Sequence, residues 1–401
     1  MNIRLTAFDL FAGCGGLSMG LRDAGISIKW ANEYWDAAAD TYSNVHVDTE
    51  IFKEDARELY KKLVDGDSRL PMPGEVDIIT GGPPCQGFSG YNRHRSPEDP
   101  RNSHVDTFLD FVDFLKPSLV VMENVPGLLS MSNGHVIKTL IKSYEECGYK
   151  TKMGILQAGN YGLPQNRWRV FLYAVKNYLP LPEFPYPTHE FPRTTIFGAK
   201  AFRANVVRPP KAPDLFWQPQ KTITVGDAIS DLPKIENGGK SNGEVYRSGS
   251  SSEYQGLLRG NAKKPTQHAC AKMGPIMFER IAAVPRRPGA GWLDLPDHLK
   301  PRNLARHGDK RYDNRFGRLH WEGTFNTILT RPYPYWGRVI HPEQDRVISV
   351  RECARAQGFP DSVQFYGRLT EQYKQIGNAV PPILAKAIGK EIVKVQESKL
   401  N

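Results

Sequence analysis

Leu5-Thr6-Ala7-Phe8-Asp9-Leu10-Phe11-Ala12-Gly13-Cys14-Gly15-Gly16 is the stretch that decides the fold. An apolar run of strand length (5–11) ends on a glycine-rich turn, and helical spacing begins near Leu17. That succession opens a doubly wound α/β sheet, whose ligands bind beyond the carboxyl ends of its strands. Glycine in the turn permits left-handed backbone and lets the chain approach a ligand with no Cβ in the way. A dinucleotide fingerprint would need glycine three residues beyond Gly15, but Ser18 stands there. A nucleoside ligand without a cradled pyrophosphate therefore fits better.

Outward from that turn the rhythm continues. Compact apolar runs predict strands over 26–31, 76–80, 119–122 and 170–175. Val105, Phe108, Leu109, Val112 and Leu115 recur at helical spacing, and a second helix is predicted over 136–147, ended by Gly148. Polar residues collect at the predicted strand ends. Glu33 follows the second strand, where a carboxylate can bond ribose hydroxyls, and Asp55 can reach an adenine amino group. Gly81-Gly82-Pro83-Pro84-Cys85-Gln86-Gly87-Phe88-Ser89 follows the 76–80 run. A structural cysteine usually sits inside an apolar run. Cys85 instead lies in a loop stiffened by two prolines, where nearby helix N-termini or arginines favour the nucleophilic thiolate. Glu123-Asn124-Val125-Pro126-Gly127 follows the next strand and can face the same cavity, as a hydrogen-bonding acid for a ring nitrogen. Gln165-Asn166-Arg167-Trp168-Arg169 enters the 170–175 strand; alternation puts Arg167 and Arg169 on one face, suited to a carbonyl oxygen or a phosphate.

Beyond 185 the character changes. Prolines recur through 179–219, and 236–264 is rich in Gly, Ser and Asn. Both features break the βαβ rhythm and predict a second, smaller, irregular domain over 186–344. The first domain then comprises 1–185 and 345–401, with helical patterning over 350–357 and 379–395. The formal net charge is +10, and 186–344 holds 25 Lys and Arg against 14 Asp and Glu, while the rest holds 28 against 29. The whole surplus therefore lies in the second domain, which suits a polyanionic partner. Its densest basic stretch is 307–318, with Lys310, Arg311, Arg315 and Arg318. No apolar run approaches the roughly 18–20 residues of a membrane span, and the N-terminal residues do not read as a secretion signal. The five cysteines are scattered with no Cys-x-x-Cys pair, which argues against a disulfide framework or a zinc cluster and for a reducing compartment.

In order and over nearly the whole chain, Phe11-Ala12-Gly13-Cys14-Gly15-Gly16, Pro84-Cys85-Gln86, Glu123-Asn124-Val125, Gln165-x-Arg167-x-Arg169, Arg351-Glu352-Cys353-Ala354-Arg355 and Gln375-Ile376-Gly377-Asn378-Ala379-Val380-Pro381-Pro382 resemble the DNA cytosine-5 methyltransferase family. The resemblance implies a Rossmann-like, S-adenosylmethionine-dependent methyltransferase sheet with a smaller target-recognition domain. It implies that Cys85 adds to cytosine C6, that Glu123 engages N3 and the amino group, and that Arg169 meets the base carbonyl with Arg167 in support. S-adenosylmethionine would lie on Phe11, Gly13, Gly15, Glu33, Tyr34, Asp55, Ala56 and Asn378, leaving S-adenosylhomocysteine as product. The helix holding Asn378 would fold back onto the N-terminal domain. Cytosine C6 is inaccessible in a stacked duplex, so the base must be flipped out. Double-stranded DNA is the implied partner, with Gln86, Ser89, Arg311, Arg315 and Arg318 as candidate contacts, most of them to phosphate. Regulatory protein partners stay open. The expected location is the nucleus in a eukaryote, or the cytoplasm and nucleoid in a prokaryote.

Within the family, Gly90-Tyr91-Asn92-Arg93-His94-Arg95, 225–233, Phe316-Gly317-Arg318-Leu319-His320-Trp321 and 341–346 point to the catalytic domains of eukaryotic maintenance methyltransferases and chromomethylases. The cysteine-bearing insertion of the maintenance enzymes before Gly317 is missing, so their preference for hemimethylated CG sites is not carried over. A free-standing prokaryotic methylase of this lineage stays open. A catalytically silent homologue would have lost the nucleophile, the glutamate or the glycine turn, and all three are present. The family's RNA-methylating branch carries a Cys-Phe-Thr tripeptide, which is absent here. A dinucleotide oxidoreductase fails on Ser18 and on the Cys85 loop.

Overall fold

The predicted alternation of strand and helix is observed through the first half of the chain. The computed structural model describes residues 5–84, 103–192, 200–209, 218–307 and 314–397. In chain order the elements are β1 (Thr6–Leu10), α1 (Gly16–Asp23), β2 (Ser27–Asn32), α2 (Asp36–Val45), β3 (Glu50–Phe52), α3 (Ala56–Val64), β4 (Ile78–Gly81), α4 (Ser103–Leu115), β5 (Leu119–Asn124), α5 (His135–Glu146), β6 (Tyr149–Gln157) and β7 (Trp168–Lys176). These seven strands form one sheet in the order β3-β2-β1-β4-β5-β7-β6. The first five are parallel; β7 runs antiparallel to β5, and β6 antiparallel to β7. The strand order reverses between β1 and β4, which makes their carboxyl ends the topological switch point where such sheets bind ligands.

Parallel strands covered on both faces need apolar residues on both, and β1, β4 and β5 read that way. Phe8, Leu10, Ile79, Val120 and Met122 are buried with Phe108, Phe111 and Val112 of α4. Phe8 meets Phe111 edge to face at 5.7 Å.

By its contacts the chain forms two compact units. The first is Met1–Tyr161, Trp168–Gln220 and Val380–Asn401; the second is Gly162–Arg167 and Lys221–Ala379. This division differs from the boundaries expected from composition, since 186–220 cluster with the sheet and 345–379 with the second unit. The second unit contains α6 (Val225–Ile229), α7 (Glu253–Arg259), α8 (Pro275–Ala283), α9 (Arg302–His307), β8 (Gly317–Arg318), β9 (Arg338–Ile340), α10 (Val350–Ala356) and α11 (Leu369–Asn378). One of its cores gathers Met277, Ile281, Trp292, Phe316, Ile340 and Val347. Buried ion pairs hold it as well. Arg355 joins Asp231 and Asp361, and Arg346 grips both oxygens of Glu352, which caps α10 together with Ser349.

The predicted 379–395 helix begins only at Pro382. It is α12 (Pro382–Glu397), with proline at its first turn as helix starts allow. α12 packs on α1 in the first unit. Asn378 instead ends α11, which belongs to the second unit. The expected helical segment is therefore two helices, with Asn378 closing the first and α12 packing on α1.

Candidate active site

The glycine turn leaves β1 through three left-handed residues, Phe11 (φ 57°), Gly13 (φ 58°) and Gly15 (φ 84°). Left-handed backbone costs a bulky residue such as Phe11 free energy, so surrounding contacts must hold it. Those contacts come from β2 and the residue after it. The Ala12 amide donates to the Asn32 carbonyl at 2.9 Å. Glu33, buried, accepts from the Gly13 amide at 2.9 Å and from the Trp35 amide at 2.8 Å. Each carboxylate oxygen has a second lone pair, so Glu33 can brace the turn and still accept from a ribose hydroxyl. Tyr34, next in the chain, is 64% exposed.

Asp55 caps α3, accepting from the Arg57 amide and, through both oxygens, from the Arg57 guanidinium. The Arg57 hydrogen bonds hold its carboxyl down at about 2, leaving an anionic acceptor at the end of β3. Asn32 links these pieces, donating to the carbonyls of Phe52 and Glu54. Among the described residues, an added Cβ at Gly13 would meet nothing within 4 Å beyond its chain neighbours, whereas at Gly15 it would collide with His46. The turn thus presents a left-handed glycine to open space beside two carboxylates at neighbouring strand ends. Two carboxylates at such a turn suit the hydroxyls of a ribose and an amino-bearing base.

At the carboxyl ends of β4 and β5 the second half of the site assembles. Glu123 lies within β5 rather than after it, opposite Phe171 of β7. Its carboxylate pairs with the Arg169 guanidinium at 2.8 Å, both side chains only 9% exposed. Burial pulls the Arg169 pKa down and the Glu123 charge opposes that shift. Arg169 also donates to the Trp168 carbonyl at 2.7 Å. Gly82 approaches so closely that a Cβ there would stand 3.1 Å from Glu123 Oε2. Asn124 donates to the Pro83 carbonyl at 3.3 Å. The loop that leads to Cys85 is therefore tied to the Glu123-Asn124 strand end two residues before the cysteine. Cys85, Gln86, Ser89 and Arg311 lie outside the described residues.

Arg167, Arg315 and Arg318 are all buried. Arg167 is fully buried and donates to the carbonyls of Ile328, Gly377 and Ala379, all within the second unit. These bonds give it a framework role, in keeping with the supporting part expected of it. Gln165 and Asn166 belong to the same web, through Ala356, Gln357, Ile328 and Phe325. Arg318, fully buried, donates to the carbonyls of Val284, Ile281, His341 and Gln344 and to Asp345. Its expected DNA contact is corrected to an internal clamp. Arg315 is 9% exposed, with its guanidinium over the Tyr335 ring at 4.5 Å. Ala56 is buried in the first turn of α3, and Asn378 is exposed at the end of α11.

Sequence reasoning missed the groups behind the turn. Ser18 counted only against a dinucleotide, yet it donates to buried Asp9 at 2.6 Å and meets the Tyr42 hydroxyl at 2.8 Å. Burial pushes Asp9 up to about 7, partly opposed by Ser18. His46 bonds the Gly15 carbonyl. No motif signals it, because its partner lies far off in sequence.

The chain is similar to known proteins. A family model described as C-5 cytosine-specific DNA methylase matches residues 5–394. "DNA (cytosine-5)-methyltransferase 2" of Arabidopsis thaliana is 38% identical over 98% of the chain, and "DNA (cytosine-5)-methyltransferase 1" of Mus musculus is 37% identical over 97%. The chain spans 28% of the length of each. The crystal structure of a putative DNA modification methyltransferase encoded within an E. coli prophage superposes with TM-score 0.70 at 25% identity, covering 98% of this chain and 99% of that one. A family model matched over nearly the whole chain, with relatives 37–38% identical across it, shows that the chain belongs to the C-5 cytosine-specific DNA methylase family.

Proposed function

We propose that this chain methylates carbon 5 of cytosine in double-stranded DNA. The observation that carries the proposal is the buried Glu123–Arg169 pair set against Gly82 and Pro83, two residues from Cys85. An arginine-bound carboxylate in a nearly dry setting can engage one edge of a pyrimidine, and the arginine has further donors for a carbonyl. Glu123 would hold N3 and the exocyclic amino group of a flipped cytosine, and Arg169 its carbonyl. The Cys85 thiolate would add to C6, its electron pair forming the C–S bond while the C5–C6 π electrons make C5 nucleophilic. A proton taken up from water at N3, where the Glu123 carboxylate accepts its hydrogen bond, offsets the charge that reaches the ring, and it returns to water when Cys85 leaves. After transfer, loss of the C5 proton restores the double bond and expels Cys85.

The methyl donor is S-adenosylmethionine in this reading; bound on the glycine turn, it supplies the methyl group that C5 accepts. Phe11, Gly13 and Gly15 would line it, Glu33 would take its ribose hydroxyls, Tyr34 would cover its base, and Asp55 with Ala56 would meet the base edge. Asn378 completes this set by resemblance. The basic segment 186–344 is the proposed grip on the duplex, and the protein would act where genomic DNA lies.

With S-adenosylmethionine and duplex DNA, methylation at cytosine C5 is expected, and Cys85→Ala should abolish it. Duplex carrying 5-fluorocytosine should trap a covalent adduct, because fluorine at C5 blocks the final elimination. Full activity of the alanine variant would end this reading. Sequencing the products from unmethylated and hemimethylated random DNA would show which cytosines are reached.

A further inference from the structure

Behind the glycine turn runs a buried polar chain that no step above uses. His46, 1% exposed, follows α2 and turns its ring toward the start of α1. One ring nitrogen, Nδ1, lies 2.9 Å from a guanidinium nitrogen of Arg22, and the other, Nε2, lies 3.0 Å from the Gly15 carbonyl oxygen. Arginine can only donate, so Nδ1 is the acceptor and the proton resides on Nε2, which donates to Gly15. Two independent contacts thus fix one tautomer. Burial holds His46 down at about 4, so the imidazole stays neutral. The ring also lies on Tyr42, with centroids 4.4 Å apart, and Tyr42 reaches Ser18 and through it Asp9.

Gly15 is where this chain acts on the turn. Its carbonyl accepts from the Met19 amide, the first bond of α1, as well as from His46. A Cβ at Gly15 would stand 2.4 Å from His46 Nε2, so the imidazole occupies the space a side chain would need. Left-handed residues at 11, 13 and 15 are costly to hold, and a ligand that needs them held binds better when the protein has ordered them in advance.

We propose that His46 is a positioning residue for the cofactor turn: by donating to the Gly15 carbonyl in the tautomer Arg22 enforces, it sets the affinity for the S-adenosyl cofactor. The inference rests on the cofactor reading above.

Three variants test it. His46→Phe keeps a ring on Tyr42 and removes both nitrogens. His46→Gln can return an amide donor to Gly15. Arg22→Met leaves the imidazole but frees its tautomer, at a side chain already 32% exposed. S-adenosylhomocysteine affinity is measured by calorimetry, KM for S-adenosylmethionine and kcat at fixed DNA, and the thermal midpoint without ligand. One lost hydrogen bond corresponds to roughly 3- to 10-fold in affinity. His46→Phe should weaken S-adenosylhomocysteine by about that factor and raise KM with kcat nearly unchanged. Arg22→Met should give a smaller loss of the same kind, and His46→Gln should recover part of it. Unchanged affinity in a folded His46→Phe, or a fall in kcat with KM unmoved, overturns the inference. If His46→Phe does not fold, Arg22→Met decides, and unchanged affinity there overturns it. A wild-type chain that does not bind S-adenosylhomocysteine overturns the cofactor reading itself, a result no variant comparison can mimic.

Discussion

Arg169 and Arg318 are both buried arginines, and their surroundings give them opposite tasks. Arg169 faces a carboxylate at a strand end beside the Pro83 loop, with guanidinium nitrogens beyond the one that pairs with Glu123. Arg318 spends its donors on four carbonyls and Asp345. A count of basic residues cannot tell the two apart, which is why Arg318 read as a phosphate contact. Glu33 and Glu123 were legible because both stand at strand ends, where the chemistry of a doubly wound sheet collects. Arg318→Met should therefore destabilise the chain by about 3 kcal/mol, since it strands buried acceptors. The dependence of DNA affinity on salt should keep its slope, because no phosphate contact is lost. Urea unfolding and a salt series of binding titrations measure the two effects. A variant of native stability with a shallower slope would restore the DNA role.

At the scale of elements, strands buried on both faces announced themselves and edge elements did not. The runs at 5–11, 76–80 and 119–122 became β1, β4 and β5 because parallel central strands are apolar on both sides. β6 was missed. It lies at the edge of the sheet, and Lys150 and Lys152 interrupt its apolar character. β3 has only three residues, too few for a pattern. The contact of α1 with α12 was equally hidden, because it depends on glycines whose partners lie hundreds of residues away. A Cβ at Gly20 would stand 2.3 Å from the Pro382 carbonyl oxygen, and one at Gly389 would stand 2.6 Å from the Ala24 Cβ. Glycine to alanine inside a helix ordinarily gains about 1 kcal/mol, whereas forcing a methyl group into packed backbone costs roughly 1–3 kcal/mol. At Gly20 the obstacle is backbone, so the cost wins and Gly20→Ala should destabilise. Gly256, exposed within α7, has nothing nearer than Ser250 at 3.9 Å, so Gly256→Ala should stabilise by about 1 kcal/mol. Equal shifts of the two unfolding midpoints would refute the packing argument.

For the whole molecule, the chain crosses between its two units at 161/162, 167/168, 220/221 and 379/380. The family motifs are divided accordingly, with the glycine turn, Glu123 and Arg169 in one unit and Arg167, 351–355 and Asn378 in the other. Composition could locate the basic segment but not this interleaving, because the short visit 162–167 is held by side-chain bonds and by a backbone bridge to Phe325, partners too far off in sequence to leave a pattern. The two units should also answer acid differently. In the second, burial keeps His341 down at about 3, its Nδ1 accepting from the Glu343 and Gln344 amides. Burial raises Glu352, but the Arg346 pair outweighs it and holds its carboxyl well below the usual range. Between its folded and ordinary values each group binds fewer protons folded than unfolded, so each contributes stability that is lost as pH falls. For His341 that loss runs from about 6.5 down to about 3, and Glu352 adds to it below the ordinary carboxylate range. In the first unit the signs oppose. His46, held at about 4, loses stability in acid the same way, whereas Asp9, raised to about 7, binds more protons folded and gains stability as pH falls from there. Hydrogen exchange between pH 7 and 4, corrected for intrinsic rates, should therefore show protection falling over 341–356 before it falls over 119–124 and 168–176. Loss of protection in the sheet first, or at the same pH in both, would show that these buried groups do not govern the acid response.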